Sequence, residues 1–323
     1  MISYFRPAIY TTVLQMEIDR KRAWYFISQL LTLLGFVFFS LVIFQFVALL
    51  AVKMLQGVDY AGTLEIIGAP QVKFPDANVT RIFIMITNLG SFAIPAIVYL
   101  RVYRYPMLST LRLNRWMPWW QLALVVVFAV AVLFGVSLIS DWNHAIPFPD
   151  AIMEKIKLAK EKNDALIESM LLMPNVPHLL FSILAMALAP ALGEEFLFRG
   201  ILQPLFKNWT KSIHWGIVIS AAVFSAIHFD FQDFISRFAI AVAYGYLFYW
   251  SGNLWITILA HFLNNSFDVL VYYFKDSNAI LHQMAEQEHT PVIYGLVSIG
   301  IIGLILWLFQ RSAQAKEEEA AAG

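Results

Sequence analysis

The sequence predicts an all-α fold, a polytopic membrane helix bundle with about eight transmembrane helices, and three observations carry that prediction. Of 323 residues, 60% are hydrophobic, well above the about 45–50% of soluble domains. Charged residues make up only 14%, too few to cover a water-exposed globule of this size. The apolar residues also fall into runs close to the about 20 residues that a helix needs to cross a bilayer. Composition excludes some functions as well. With 22 basic and 22 acidic residues there is no basic excess to bind nucleic acid. The absence of cysteine removes disulfides, thiol catalysis and cysteinyl metal sites.

Taken in order, the chain reads as a single membrane domain over 1–323. Arg20, Lys21 and Arg22 precede the first apolar run, about Phe26 to Val52, and no small-residue cleavage pattern follows it, so the N-terminal stretch is not a signal peptide. A second span, about Ile82 to Leu100, lies between Arg81 and the pair Arg101 and Arg104. A third, about Trp120 to Ile139, is entered through Trp116, Trp119 and Trp120, an aromatic anchor suited to the membrane surface.

A polar interval follows. Pro147, Pro149 and Asp150 can start a helix, and Pro174 and Pro177 end the segment. Ile152, Ile156, Ala159, Leu166, Ile167 and Met170 approximate one apolar face between them, as in a helix lying on the membrane or a solvated loop helix. Five further spans are expected, at about Leu179–Leu205, Ile213–Phe229, Phe234–Trp250, Leu254–Phe274 and Val292–Phe309, the second and third of them short. Residues 311–323 read as a disordered polar tail. With the N-terminus inside, twelve basic residues collect on the cytoplasmic side and nine opposite, which predicts both termini in the cytoplasm.

Ionisable residues are nearly absent from the first three spans and frequent in the later ones. A charge in the hydrocarbon region costs several kcal/mol, so it marks a candidate functional site. Glu195 and Arg199 are four apart with the acid first, the favourable order for an ion pair on one helical face. Glu194 is rotated about 100° away and left without a local partner, as a general base requires. Phe224 lies one turn before His228 and can buttress its imidazole, with both expected on a helix. His261 and Asn265 are also one turn apart, so their donors converge, and Asp268 is placed to hold one of them. Each cluster has a plainer reading, as interfacial polar residues or as hydrogen-bonded glue between membrane helices.

The patterns EExxxR, FxxxH and HxxxN, in this order, together with Asn253-Leu254-Trp255, resemble the CAAX prenyl endopeptidase and bacteriocin-processing (CPBP, or ABI) family of intramembrane proteases, which includes the Ras-converting enzyme. The resemblance covers about residues 178–270, a CAAX-protease-like catalytic core. It implies a helical membrane peptidase acting on a membrane-associated protein or peptide. Glu194 and His228 would activate the attacking water, His261 and Asn265 would stabilise the oxyanion, and Glu195 with Arg199 would support the site. The family also includes scaffolding and bacteriocin-immunity members, so a non-catalytic role is the first alternative. The second is a proton-coupled transporter, against which stand an ionisable-poor first half and no internal repeat.

Zinc is the open question for the chemistry. Glu194, His228 and His261 form a His₂Glu set, a donor combination known in catalytic zinc sites. The HExxH spacing is absent, however, and Asn265 beside His261 suits an oxyanion better than a metal. A metal-free carboxylate–imidazole mechanism is therefore expected, with no cofactor.

Overall fold

The computed structural model describes residues 6–56, 76–286 and 290–322. The described residues are helical throughout, joined by short turns, with no strand among them. We number the main helices α1 (Arg6–Gln56), α2 (Ala77–Val102), α3 (Trp119–His144), α4 (Asp150–Met170), α5 (Val176–Thr210), α6 (Ile213–Ala226), α7 (Phe234–Ser251), α8 (Leu254–Phe274) and α9 (Val292–Ala322). Six of these, α1, α2, α3, α5, α8 and α9, are long and apolar enough to cross a membrane. The two spans expected to be short are α6 and α7, so the helix order follows the sequence reading. The chain is an integral, multi-pass membrane protein.

The outer surface supports this directly. Phe38 and Phe39 on α1 are 62% and 65% exposed. Such side chains belong in contact with lipid, since water would drive them together. Trp116 and Trp119, at the entry to α3, are 90% and 80% exposed, as an interfacial anchor needs to be.

Helix α5 is central, packed against α2 on one side and α8 on the other, with α6 against its C-terminal part. Helices α7 and α8 divide their faces between two apolar clusters. Ala241, Phe248, Leu254 and Ile258 join the cluster around α5, whereas Tyr244, Leu247, Ile256 and Ala260 join that of α3 and α9. Phe128, Ile305 and Phe309 complete the second cluster.

Three expectations change. Residues 311–322 continue α9 rather than forming a disordered tail, consistent with their run of Ala, Glu, Lys and Gln, all strong helix formers. Helix α6 stops at Ala226, so His228 stands in the turn beyond it rather than on the helix. Arg81, read as a loop residue flanking the second span, lies inside α2 and is fully buried. Lys73, also counted among the loop charges, lies outside the described residues.

Candidate functional site

Two π-helical turns, Leu184–Leu188 and Phe198–Leu202, bracket the α-helical segment Ala189–Leu197 of α5 that carries Glu194 and Glu195. Such widened turns are frequent at functional sites. Proline follows each of them, at Pro190 and Pro204. Pro190 has no N–H to give to the carbonyl four residues back, that of Met186. Asn265 Nδ2 donates to this carbonyl instead, at 3.3 Å. The second residue of the HxxxN motif thus satisfies a break in another helix, while an amide nitrogen keeps one further hydrogen to give.

Glu195 is fully buried, and its Oε1 accepts from Arg199 Nη1 at 2.9 Å and from His261 Nδ1 at 3.1 Å. Arg199 also donates to the Ala241 carbonyl at 3.1 Å. Its guanidinium lies 5.1 Å from the ring centre of Phe224 and 5.4 Å from that of Tyr244. This position between two aromatic faces compensates a desolvated cation. With Nδ1 turned to Glu195, His261 directs Nε2 toward Glu194, 3.8 Å from its Oε2.

His228 closes α6. Its Nδ1 donates to the Phe224 carbonyl at 2.8 Å, satisfying one of the free carbonyls at the helix end. That fixes the tautomer and leaves Nε2 as the acceptor. The Phe224 ring lies beside it, tilted by 57° with 5.0 Å between ring centres, as the sequence spacing suggested. Phe229 follows with φ of 52°, a left-handed turn made without glycine. The loop is tied to the end of α3, where Asn143 Nδ2 donates to the Phe231 carbonyl at 3.1 Å and Asn143 Oδ1 accepts from Ile235 N–H at 2.8 Å. Ser140 donates to Asp233 there as well.

A cavity of about 390 Å³ opens beside His228, between this loop and α4. Lys160 and Asp164 line it from α4, and Asp230 and Arg237 from the other side. Burial alone would push the Asp230 carboxyl up, but Arg237 at 3.0 Å outweighs it and holds the group below the usual carboxylate range.

The structure brings Glu194, Glu195, Arg199, His261, Phe224 and His228 together. Asn265 engages α5 at the Met186 carbonyl through Nδ2. Asp268 holds neither His261 nor Asn265; it lines a separate cavity with Asn265, Met186 and Tyr272. Among the described residues, no three His, Cys, Asp or Glu side chains are grouped as a metal site.

The sequence reading missed three contributors. Tyr244 covers Arg199, Asn143 holds the His228 loop, and Asn88 of α2 points Nδ2 at Glu194 Oε1 from 3.5 Å. The only signal for Asn88 is an amide inside an otherwise apolar run.

Residues 176–267 match the model of a family described as type II CAAX prenyl endopeptidase, Rce1-like. The resemblance carried by the three motifs is therefore borne out over this stretch, which holds every motif residue from Glu194 to Asn265. In Bacillus subtilis (strain 168), "Uncharacterized protein YpbD" is 36% identical over 142 residues, 43% of this chain and 61% of that protein. "Putative membrane peptidase YdiL" of the same organism is 23% identical over 253 residues, covering 78% of this chain and 94% of the relative. The chain thus matches about three fifths of the length of the first of these relatives. No solved structure matches the chain.

Proposed function

We propose that the chain is an intramembrane endopeptidase of the CAAX prenyl protease kind, hydrolysing a peptide bond of a membrane-associated protein with water activated by Glu194 and His228. The observation that carries this reading is the buried relay Arg199–Glu195–His261–Glu194, at 2.9, 3.1 and 3.8 Å. It comes from two helices inside the matched family stretch. A purely structural ion pair would end at Arg199 and Glu195. Here the pair instead orients an imidazole toward a second carboxylate.

The roles follow from the charges. Glu194 accepts a proton from water, and the resulting hydroxide attacks the scissile carbonyl. Glu195 holds the Nδ1 side of His261, so its Nε2 is the atom turned to the oxyanion, stabilisation that is worth most in a site shielded from water. The proton that Glu194 took passes to the leaving nitrogen as the C–N bond breaks, and His228 Nε2 accepts the second proton of the attacking water as the product carboxylate forms. Asn265 contributes through its second N–H. The substrate approaches through the cavity beside His228.

No metal takes part in this scheme. The scheme gives His261 Nε2 to the oxyanion, and Glu194 with His228 alone is too small a set to hold zinc firmly. Both termini face the cytoplasm, which reporter fusions at the two ends check.

The deciding experiment uses the purified protein in detergent and a fluorogenic farnesylated peptide beside its unprenylated twin. Glu194→Gln keeps the shape but cannot accept a proton. It should lower turnover by about 10²–10⁴-fold with unchanged melting. Near-normal cleavage by that variant would sink the general-base assignment. Loss of activity on chelation, restored by zinc, would overturn the metal-free mechanism. A preference for the farnesylated peptide would identify prenylated substrates.

A further inference from the structure

We propose that Asn88, on α2 and outside the family-matched stretch, is a positioning residue that fixes the carboxylate of Glu194; the proposal rests on the reading of Glu194 as the base. Asn88 Nδ2 stands 3.5 Å from Glu194 Oε1. The other carboxylate oxygen, Oε2, faces His261 Nε2. A carboxylate only accepts hydrogen bonds, so the amide nitrogen is the atom that belongs at this contact. One oxygen is thus held from the α2 side and the other is presented to the imidazole. Free rotation about the carboxylate axis is removed without adding a charge.

Three further facts support the assignment. Glu194 has no partner on its own helix, because Arg199 is committed to Glu195 and to the Ala241 carbonyl. The Oδ1 of Asn88 is buried with no hydrogen-bond partner among the described residues. A buried amide half-satisfied in this way is costly and calls for an explanation. Finally, α2 approaches α5 closely beside this contact, where residue 193 is glycine. A Cβ there would meet Asn88 Oδ1 at 3.1 Å and Phe92 Cβ at 3.2 Å. The side chain and the gap that admits it are built together.

The first test reads geometry without using activity. Melting temperatures are measured for Asn88→Leu, Glu194→Leu and the double variant. A hydrogen bond between the two predicts non-additive shifts, with Asn88→Leu several degrees less costly once Glu194 is gone. Additive shifts would overturn the contact. The second test measures turnover of the farnesylated peptide by Asn88→Leu and Asn88→Asp. Both should lower kcat by about tenfold or more with KM within about twofold, since the lost bond is to a charged group. The aspartate should be the worse, because it sets a like charge against Glu194. Should Asn88→Leu fail to fold, the isosteric Asn88→Asp carries the test. Unchanged kcat in the Asn88 variants beside an inactive Glu194→Gln would overturn only the role of Asn88. Normal turnover by Glu194→Gln would overturn the catalytic reading itself.

Discussion

Arg81 and Arg199 are both sealed inside the bundle, at 0% and 2% exposure, yet they are held in unlike ways. Arg199 has a carboxylate four residues earlier on its own helix, and their pair orients the candidate site. The five hydrogen bonds of Arg81 all go to neutral oxygens: the Met170 carbonyl twice, the Leu172 carbonyl, Ser182 Oγ and Asn78 Oδ1. Met170 and Leu172 stand at the C-terminal end of α4, where carbonyls lack helical partners and a cation is favoured. Arg81 therefore fastens the helix that walls the cavity beside His228, whereas Arg199 pairs with Glu195 inside the candidate site. The first half of the chain is a scaffold that reaches into the second half at a few polar points.

The largest effect expected separates these two roles. Arg199→Ala would strand Glu195 as an unpaired buried charge, at a cost of about 3–5 kcal/mol, and should lower both melting temperature and activity. Replacing the pair together, Glu195→Leu with Arg199→Leu, should recover much of the stability but none of the activity, because His261 loses its orienting oxygen. An Arg199→Ala protein with normal melting would instead give Arg199 a direct role at the substrate.

Arg81→Leu should do less to the fold. Each acceptor it abandons costs about 1–3 kcal/mol if left dry, but the Met170 carbonyl keeps the Ser182 hydroxyl at 2.8 Å. No second substitution can rescue it, since its main partners are backbone atoms. Arg81→Lys should recover only part of the loss, because an ammonium lacks the planar fork. The expected signature is faster proteolysis within α4 and a raised KM, with kcat less affected. A lowered kcat at constant KM would place Arg81 with the chemistry after all.

The same contrast explains what could be read from the sequence. The Glu195–Arg199 pair was legible because both ends lie on one helix at a spacing that fixes their geometry. So were the long spans, where apolar length decides. Arg81 and Asn88 were not, because apart from Asn78 their partners lie 89 to 106 residues away and are mostly backbone or a single carboxylate. The ending of α6 before His228 was hidden for another reason. Neither glycine nor proline marks it, and Phe229 adopts the left-handed turn itself. The contact of Asn265 with the Met186 carbonyl answers to Pro190 in a different helix, so the HxxxN spacing alone did not announce it.

The smallest expected effect tests whether the first half merely supports the second or also tunes it. Gly193 is an interior helical position, where alanine is favoured by about 1 kcal/mol. Its new methyl would meet Asn88 Oδ1 at 3.1 Å and Phe92 Cβ at 3.2 Å. These contacts are tight but can be relieved by a few tenths of an ångström if the Asn88 side chain swings away. The two effects nearly cancel, so Gly193→Ala should melt within a few degrees of the wild type. Activity should respond differently, because a displaced Asn88 releases Glu194 Oε1. A loss of kcat approaching the about tenfold of Asn88→Leu is expected, and adding Asn88→Leu should cause little further loss, since both changes break one contact. Full activity in Gly193→Ala would mean that α2 supplies packing alone, while independent, multiplying losses would mean that the glycine and the asparagine act on different things.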